Sequence, residues 1–385
     1  MPKLLVTGVA GFIGGHVARV ALLSGLAVRG TVRGTTHGID KVLTGLEVVR
    51  VDLLHDSEAE LVAAMSGCTY LAHVASPFPG GDVTDDEMRT ALEGTAKVLR
   101  AAAAAGVKRV VLTSSVAAIG GSEDKAKGTA SRPFTAEDWS PETMPSSYAV
   151  SKTRAEKARL RLCLRRRCRR PPRPAASSAA HTRRPAASSA AATAPPLPSQ
   201  AAWALAGRLG LEMTTIHPSF VNGPLLLPRS PTSTAMAKRI LEGSMPAVPA
   251  IGMNVCGVQD VAEAHVKAVL DPSTAGQRLI VAAGNLLMTD LAVAIKEAHP
   301  GWPIKTARIP WVAMWLYSFF DKQAAGVLPM WKKESYYDVS AAEQLLGRPL
   351  QPPMEAALEM AASIIELGVA SRPQGAGVGA VKEES

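Results

Sequence analysis

Short apolar runs alternate with longer segments of helical spacing through the first 115 residues. The runs predict buried strands at Leu4–Thr7, Ala27–Val32, Glu47–Val51, Tyr70–Val74 and Arg109–Thr113. The segments between them predict helices at Phe12–Ser24, Glu58–Ser66 and Asp85–Ala105. Strands that alternate with crossover helices indicate a parallel sheet with both faces covered. The predicted class is therefore α/β, a Rossmann-type doubly wound parallel sheet.

The same alternation continues, with more helix, after residue 200. A helix is predicted over residues 146–157. Beyond residue 200, strands are predicted at Glu212–His217 and Arg278–Ala283. Helices are predicted at Ala202–Leu209, Thr234–Glu242, Val258–Leu270, Met288–His299, Val312–Phe320, Ser340–Leu346 and Met354–Leu367. We therefore expect a core over 1–157, completion of the sheet plus a smaller lobe over 201–370, and a flexible Gly-rich tail over 371–385.

Residues 158–200 break the pattern. They contain no acidic residue, no Lys and no Gly, and the octamer RPAASSAA occurs twice, at 173–180 and 184–191. Such low-complexity composition predicts a disordered insert. Two hypotheses stay open: a retained intron or gene-model error, since the composition suits GC-rich DNA translated without selection for a fold, or a real disordered loop.

The insert changes the meaning of the net charge of +9. It holds ten of the 42 basic residues, so the remaining 32 nearly balance the 33 acidic ones. Nucleic-acid binding through the arginine run is an alternative, but the run has no interleaved aromatic residues. We expect no nucleic-acid partner and a nearly neutral folded body.

Composition excludes several further classes. The chain is 47% hydrophobic, too apolar for a disordered protein, and no apolar run reaches the ~18 residues of a membrane span. The start of the chain lacks the pattern of a signal peptide. Four cysteines without a CxxC pair predict neither a disulfide scaffold nor a metal site. We expect a cytoplasmic protein, with the apolar segment 311–320 a helix that covers the substrate lobe, or contacts a membrane surface as the alternative.

A glycine-rich turn follows the first predicted strand directly. Thr7-Gly8-Val9-Ala10-Gly11-Phe12-Ile13-Gly14 has the spacing GxxGxxG and opens a predicted helix. Glycine lets the backbone turn sharply and approach a pyrophosphate, which then lies at the positive end of the helix. A turn needed only for packing is the alternative. The strand–turn–helix context favours dinucleotide binding. The core over 1–157 is therefore predicted to be a dinucleotide-binding Rossmann core, and the lobe within 201–370 a substrate lobe.

The end of the second strand bears on which dinucleotide binds. An acidic residue there suits the ribose 2′-hydroxyl of NAD, whereas an arginine suits the 2′-phosphate of NADP. Arg33 stands at this point, so NADP is favoured, with NAD as the alternative. Asp52, after the third strand, would flank the adenine.

A second motif carries candidate chemistry. Tyr148 and Lys152 are four residues apart, so they share one face of a predicted helix. A lysine ammonium near a phenol lowers the phenol's pKa from about 10, which makes Tyr148 a candidate proton donor. Ser115 closes the fifth strand, whose carboxyl end faces the cofactor crevice. His73 and His217, beside strand ends, are predicted to be structural hydrogen-bonding residues.

Taken together, the chain resembles the extended short-chain dehydrogenase/reductase family, the superfamily of NAD-dependent epimerases and dehydratases. Within it, the chain is similar to dihydroflavonol reductases, cinnamoyl-CoA reductases and related bacterial aldehyde and ketone reductases. The resemblance spans about 1–157 and 201–370. It rests on TGVAGFIGG (7–15), VDL (51–53), HVASPFP (73–79), EGT (93–95), VVLTSSVAAIG (110–120), YAVSK (148–152) and HPSFVNGP (217–224).

The resemblance implies a role for each matching residue. Tyr148 would be the general acid, Lys152 would bind the nicotinamide ribose, and Ser115 would orient the substrate carbonyl. The residues implied in cofactor binding besides Tyr148 and Lys152 are Gly8, Gly11, Phe12, Ile13, Gly14, Arg33, Asp52, Leu53, Ala75, Ser76, Pro218, Ser219 and Val221. A homodimer is a family expectation.

The resulting hypothesis is an oxidoreductase that passes a hydride between NADP(H) and a small-molecule carbonyl or the corresponding alcohol. A nucleotide-sugar epimerase or dehydratase and a hydroxysteroid-type dehydrogenase are the alternatives among enzymes. A dinucleotide-sensing binding protein is the alternative outside them, although it would not need Ser115, Tyr148 and Lys152 together.

Overall fold

The computed structural model describes residues 1–53, 55–75, 85–121, 124, 126–141, 152, 202–229, 234–320 and 328–371. The predicted helix at 146–157, apart from Lys152, the insert 158–200 and residues 372–385 of the tail lie outside these ranges.

A seven-stranded parallel sheet forms the centre of the structure. Its order is β3-β2-β1-β4-β5-β6-β9. The strands are β1 (Lys3–Val6), β2 (Ala27–Val32), β3 (Leu46–Arg50), β4 (Tyr70–His73), β5 (Arg109–Thr113), β6 (Glu212–Pro218) and β9 (Arg278–Val281). Strands β2 and β3 are added on one side of β1, and β4 and the later strands on its other side. Open α/β sheets place their ligand crevice at such a switch point, here between β1 and β4. The predicted Rossmann-type sheet is confirmed, with strand ends within two residues of those expected.

Helices cover both faces of this sheet, as the alternation predicted. One face packs α1 (Phe12–Leu23), α7 (Val258–Leu270) and α10 (Ser340–Leu346) around residues such as Val17, Val261 and Leu346. The other packs α3 (Glu58–Met65), α4 (Asp85–Ala104) and α5 (Ala202–Leu209). A single turn, α2 (Ile39–Val42), which the periodicity did not indicate, follows β2.

A second, smaller sheet lies outside the main one. It pairs β7 (Phe220–Asn222) in parallel with β8 (Gly252–Gly257), and β8 antiparallel with β10 (Gly284–Leu287). With α6 (Thr234–Leu241), α8 (Met288–Ala298) and α11 (Pro353–Glu366) it forms a separate hydrophobic core. The periodicity did not indicate these three strands, because none is a continuous apolar run or alternates clearly, and two of them include glycine.

The apolar helix α9 (Trp311–Tyr317) differs from its prediction. We expected its side chains to cover the substrate lobe, yet within this helix only Met314 is buried. Trp311 and Trp315 stack on each other, and the exposed fraction of Phe320, just beyond the helix, is 87%. Among the described helices, none is long and apolar enough to cross a membrane.

Candidate active site

The turn between β1 and α1 is a tight loop that has no room for side chains at its glycines. Gly8 has a positive φ of 70°, and a Cβ atom there would lie 3.0 Å from the Cβ of Ala75. A Cβ on Gly14 would lie 2.3 Å from the carbonyl oxygen of Gly8, closer than any real contact. Gly11 precedes α1 without a side-chain cap, and the first turn carries no acidic residue. The helix therefore presents an uncompensated positive end beside a bare backbone, the arrangement that suits a pyrophosphate.

The hydroxyl of Thr7 connects this turn to the end of β4 through hydrogen bonds. The Oγ1 atom of Thr7 accepts hydrogen bonds from the backbone N–H groups of Val74 and Ala75, both at 3.0 Å. It also lies 3.0 Å from Nδ1 of His73. Burial, helped by the positive charge of Lys152, lowers the pKa of His73 to about 4, so the ring is neutral at pH 7. The hydroxyl, which already accepts twice, donates its own hydrogen to Nδ1.

The same electrostatic effect locates Lys152, which is half-buried, near the carboxyl end of β4. Tyr148, its predicted partner, lies outside the described residues, as does Ser76. Lys152 thus lies close enough to His73 for its charge to act on the ring.

Ser115 lies at the end of β5 and its backbone is held by β6. The N–H of Ser114 donates to the carbonyl of Ile216 at 2.7 Å. Nδ1 of His217 lies 3.2 Å from the carbonyl oxygen of Ser115 and donates to it, because a carbonyl can only accept. Nε2 of His217 meets the hydroxyl of Thr215 at 2.9 Å. The Oγ atom of Ser115 accepts from the N–H of Ala117 at 3.2 Å and caps a short 3₁₀ turn.

A third buried histidine supports the same strand from behind. Nδ1 of His265, on α7, donates to the carbonyl of Val261 at 2.7 Å. Burial lowers the pKa of His265 to about 4, so Nε2 is unprotonated and accepts from the hydroxyl of Thr113, also at 2.7 Å. His73 and His217 are buried and hydrogen-bonded, as predicted, and His265 joins them. Only Thr215 and His217 are close along the chain, two residues apart on one strand, whereas Thr7–His73 and Thr113–His265 join residues 66 and 152 positions apart.

The residues expected around the adenosine lie at the ends of β2 and β3. Arg33 is exposed, and its carbonyl accepts a hydrogen bond from Nε of Arg50 at 3.1 Å. The side chain of Asp52 lies 3.1 Å from Nδ1 of His55. Leu53 packs against the core beneath α3 and α4.

The remaining predicted residues follow β6. Pro218 is buried at the last position of β6 beside Val281. The N–H of Ser219 donates to the carbonyl of Val281 at 2.9 Å, and Val221 is buried in β7. All described candidates from β1, β2, β4, β5 and β6 thus follow the carboxyl ends of parallel strands.

One residue beside the glycine-rich turn, Arg229, was not among the predicted site residues. A cavity of about 150 Å³ lies beside the glycine-rich turn. It is lined by Ala10, Gly11, Phe12, Ile39, Leu225, Leu226, Leu227 and Arg229. In the sequence Arg229 is an isolated arginine five residues after Pro224, and no motif spacing marks it as a binding residue. Within the described ranges, no cluster of His, Cys, Asp and Glu could hold a metal ion.

Comparison with known proteins agrees with this architecture. The profile of the NAD dependent epimerase/dehydratase family matches residues 4–164. Cinnamoyl-CoA reductase 1 of Oryza sativa is 30% identical over 306 residues, which cover 77% of this chain and 76% of the relative. An anthocyanidin reductase of Vitis vinifera is 25% identical over 323 residues, covering 78% and 82%.

A solved structure shows the same fold. The NADPH complex of yeast methylglyoxal/isovaleraldehyde reductase superposes with a TM-score of 0.68 at 22% identity, covering 95% of this chain and 99% of that one. The glycine-rich turn, the sheet order and the sequence matches agree. The chain belongs to the NAD-dependent epimerase/dehydratase family, among the extended short-chain dehydrogenases/reductases.

Proposed function

We propose that this protein is an NADPH-dependent reductase of aldehyde or ketone substrates. The observation that carries the proposal is that Ser115, whose carbonyl accepts from His217, follows the carboxyl end of β5, two strands from β1 in the sheet order, and the carboxyl end of β1 opens into the glycine-rich turn. The relatives that match in sequence are named as reductases, which supports the same reaction class.

The turn between β1 and α1 fits a dinucleotide. The missing side chains of Gly8 and Gly14 leave the backbone bare where a pyrophosphate would approach, and the end of α1 supplies positive potential. Arg33 would hold a 2′-phosphate, and Arg50, hydrogen-bonded to its carbonyl, adds a second cation at the same sheet end. Two arginines at this edge favour NADP over NAD.

In this reaction the protein would orient the substrate carbonyl and supply the proton. The bound dinucleotide would supply the hydride. The hydroxyl of Ser115 would donate a hydrogen bond to the substrate carbonyl oxygen, which orients it and stabilises the charge that develops there. Tyr148 would then deliver the proton to that oxygen, and the ammonium of Lys152 would ease the release of this proton. In the reverse direction the same groups would oxidise an alcohol.

Purified protein tests this directly. We expect oxidation of NADPH, followed by absorbance at its characteristic wavelength, with members of a panel of aliphatic and aromatic aldehydes and ketones. The Tyr148→Phe variant should still bind NADPH, with at most a modest loss of affinity because only one implied cofactor contact is removed. It should lose turnover by at least about 100-fold, because general acid catalysis contributes this much. Normal turnover by this variant would contradict the mechanism.

The same experiment separates the alternatives. Binding of NADPH without turnover of any carbonyl would favour a dinucleotide sensor, and turnover of a nucleotide sugar alone would favour an epimerase or dehydratase. A cytoplasmic location and a homodimer remain predictions, the latter testable by light scattering of the purified protein.

A further inference from the structure

We infer that Arg229 is an additional cofactor-binding residue, whose guanidinium binds a phosphate group of the dinucleotide. The inference rests on the proposed function, because it requires that a dinucleotide occupies the crevice.

The first observation is the place of Arg229 relative to the glycine-rich turn. Its Nη1 atom donates a hydrogen bond to the carbonyl oxygen of Ala10 at 3.2 Å. Arg229 also lines the cavity of about 150 Å³ to which Gly11 and Phe12 contribute. Gly11 and Phe12 mark the beginning of α1, where backbone N–H groups have no partner within the helix. Arg229 is exposed, so solvent screens its charge, and an anion placed between the guanidinium and the positive end of α1 would be attracted by both.

The second observation is that the segment carrying Arg229 is anchored against α1. The carbonyl of Pro224 accepts a hydrogen bond from Nε2 of His16, on α1, at 2.8 Å. The N–H of Leu225 donates to the hydroxyl of Ser363 at 2.9 Å. Leu226 reaches α1 so closely that a Cβ on Gly15 would lie 3.3 Å from its Cδ1 atom. These contacts hold residues 224–226 against α1, and Arg229 follows three residues later.

The third observation concerns the partners of the guanidinium. The group carries five N–H donors. In the part of the chain that the structure describes, one of them is used, by Ala10, and no carboxylate forms an ion pair with Arg229. The other side chains around the cavity are apolar: those of Ala10, Phe12, Ile39, Leu225, Leu226 and Leu227. Among these lining residues Arg229 carries the one charged side chain, so an anion bound in the cavity would meet its guanidinium.

A phosphate of the dinucleotide is the anion that this chemistry selects. Guanidinium groups bind phosphate through paired N–H donors. A dinucleotide offers two sources, the pyrophosphate and the 2′-phosphate of NADP. The contact of the cavity with Gly11 and Phe12 favours the pyrophosphate.

The test is calorimetric titration of the full-length protein with NADP⁺ and with NAD⁺ at low salt, without substrate. Arg229→Gln should weaken NADP⁺ binding about tenfold, since a charge-assisted hydrogen bond typically has an effect of this size. Arg229→Lys should retain part of the affinity. The matched control is Arg19→Gln. It removes an exposed charge from α1, about two turns beyond Phe12, and should leave binding unchanged.

The two dinucleotides distinguish the source of the phosphate. Equal weakening for both supports contact with the pyrophosphate, and weakening for NADP⁺ alone supports contact with the 2′-phosphate. Unchanged dissociation constants for both, in a variant with the wild-type unfolding temperature, would overturn the role of Arg229 and leave the proposed function intact. A wild-type protein that binds neither dinucleotide would overturn both.

Discussion

The two walls of the crevice are built by opposite means. The wall formed by the β1–α1 turn gets its shape from missing side chains: Gly8 bends with a positive φ, and Gly14 lies where any Cβ would meet backbone. The wall formed by β5 and β6 gets its shape from buried polar side chains, with His217 on the carbonyl of Ser115 and His265 on Thr113. Thr7 and His73 connect the glycine-rich wall to β4 in the same way.

This difference determines how each wall can fail. The glycine-rich wall tolerates no added atom, because its neighbours are backbone atoms that cannot move aside. The wall formed by β5 and β6 is sensitive to the loss of a hydrogen-bond partner and to protonation of its histidines. A buried polar group left without its hydrogen bond lowers the stability of the fold. Four experiments test this contrast.

The largest effect is expected from Gly14→Ala. The new Cβ would lie 2.3 Å from the carbonyl oxygen of Gly8, so the turn must open. We expect unfolding free energy to fall by about 2–4 kcal/mol and dinucleotide binding to be lost, as measured by urea denaturation and calorimetry. The control is Gly207→Ala, in α5, where a Cβ has open space and should stabilise the helix by about 1 kcal/mol. A folded Gly14→Ala variant with normal binding would refute this account of the turn.

Removal of the Ser115 hydroxyl should act on catalysis more than on folding. Its described hydrogen bond caps a short 3₁₀ turn, so Ser115→Ala should cost about 1 kcal/mol of stability. If the hydroxyl stabilises charge on the substrate oxygen, kcat should fall by roughly 100- to 1000-fold while the dissociation constant of NADPH is unchanged. Steady-state kinetics with an accepted carbonyl substrate measures both. An equal loss of NADPH affinity would instead indicate a structural role.

The buried histidines should make the folded protein less stable in acid than at neutral pH. His73 and His265 have pKa values lowered to about 4 in the fold, against 6.5 when unfolded. The unfolded chain therefore binds more protons between pH 4 and 6.5, and stability falls as pH falls through this window. Each histidine should contribute a loss of about 2 kcal/mol by pH 5.

Urea denaturation at pH 7 and pH 5 measures this loss. His265→Gln, which cannot titrate, should show a smaller difference between the two pH values. His55→Gln is the control, because His55 is exposed, and it should keep the wild-type difference. Equal differences in all three proteins would contradict neutral burial of His265.

The smallest effect is expected at His217. His217→Asn keeps an N–H donor that can still meet the carbonyl of Ser115, whereas His217→Leu does not. We expect kcat to fall by about 10-fold in the leucine variant and by less in the asparagine variant, on the scale of one neutral hydrogen bond. The KM for NADPH should stay unchanged in both. Identical kinetics in the two variants would show that the donor does not position Ser115.

Periodicity and motif spacing predicted the parts that depend on local chemistry. Buried parallel strands are continuous apolar runs, so β1 to β6 and β9 were recognisable. The glycine-rich turn was recognisable because its backbone geometry admits no other residue. The strands β7, β8 and β10 were not, since none is a continuous apolar run and each becomes a strand only when paired with the others. The exposed side chains of α9 also differ from expectation, because apolar character alone does not say which face a helix buries.

The amino-acid sequence by itself determined the class of fold, the family, the candidate residues Ser115, Tyr148 and Lys152, and the dinucleotide turn, because each of these is encoded in residues close together along the chain. Only the tertiary structure decided which distant residues support them. His265 is 152 positions from Thr113 and Arg229 is 219 positions from Ala10. No local pattern links such pairs, because their contact depends on how the helices and the second sheet pack against the first.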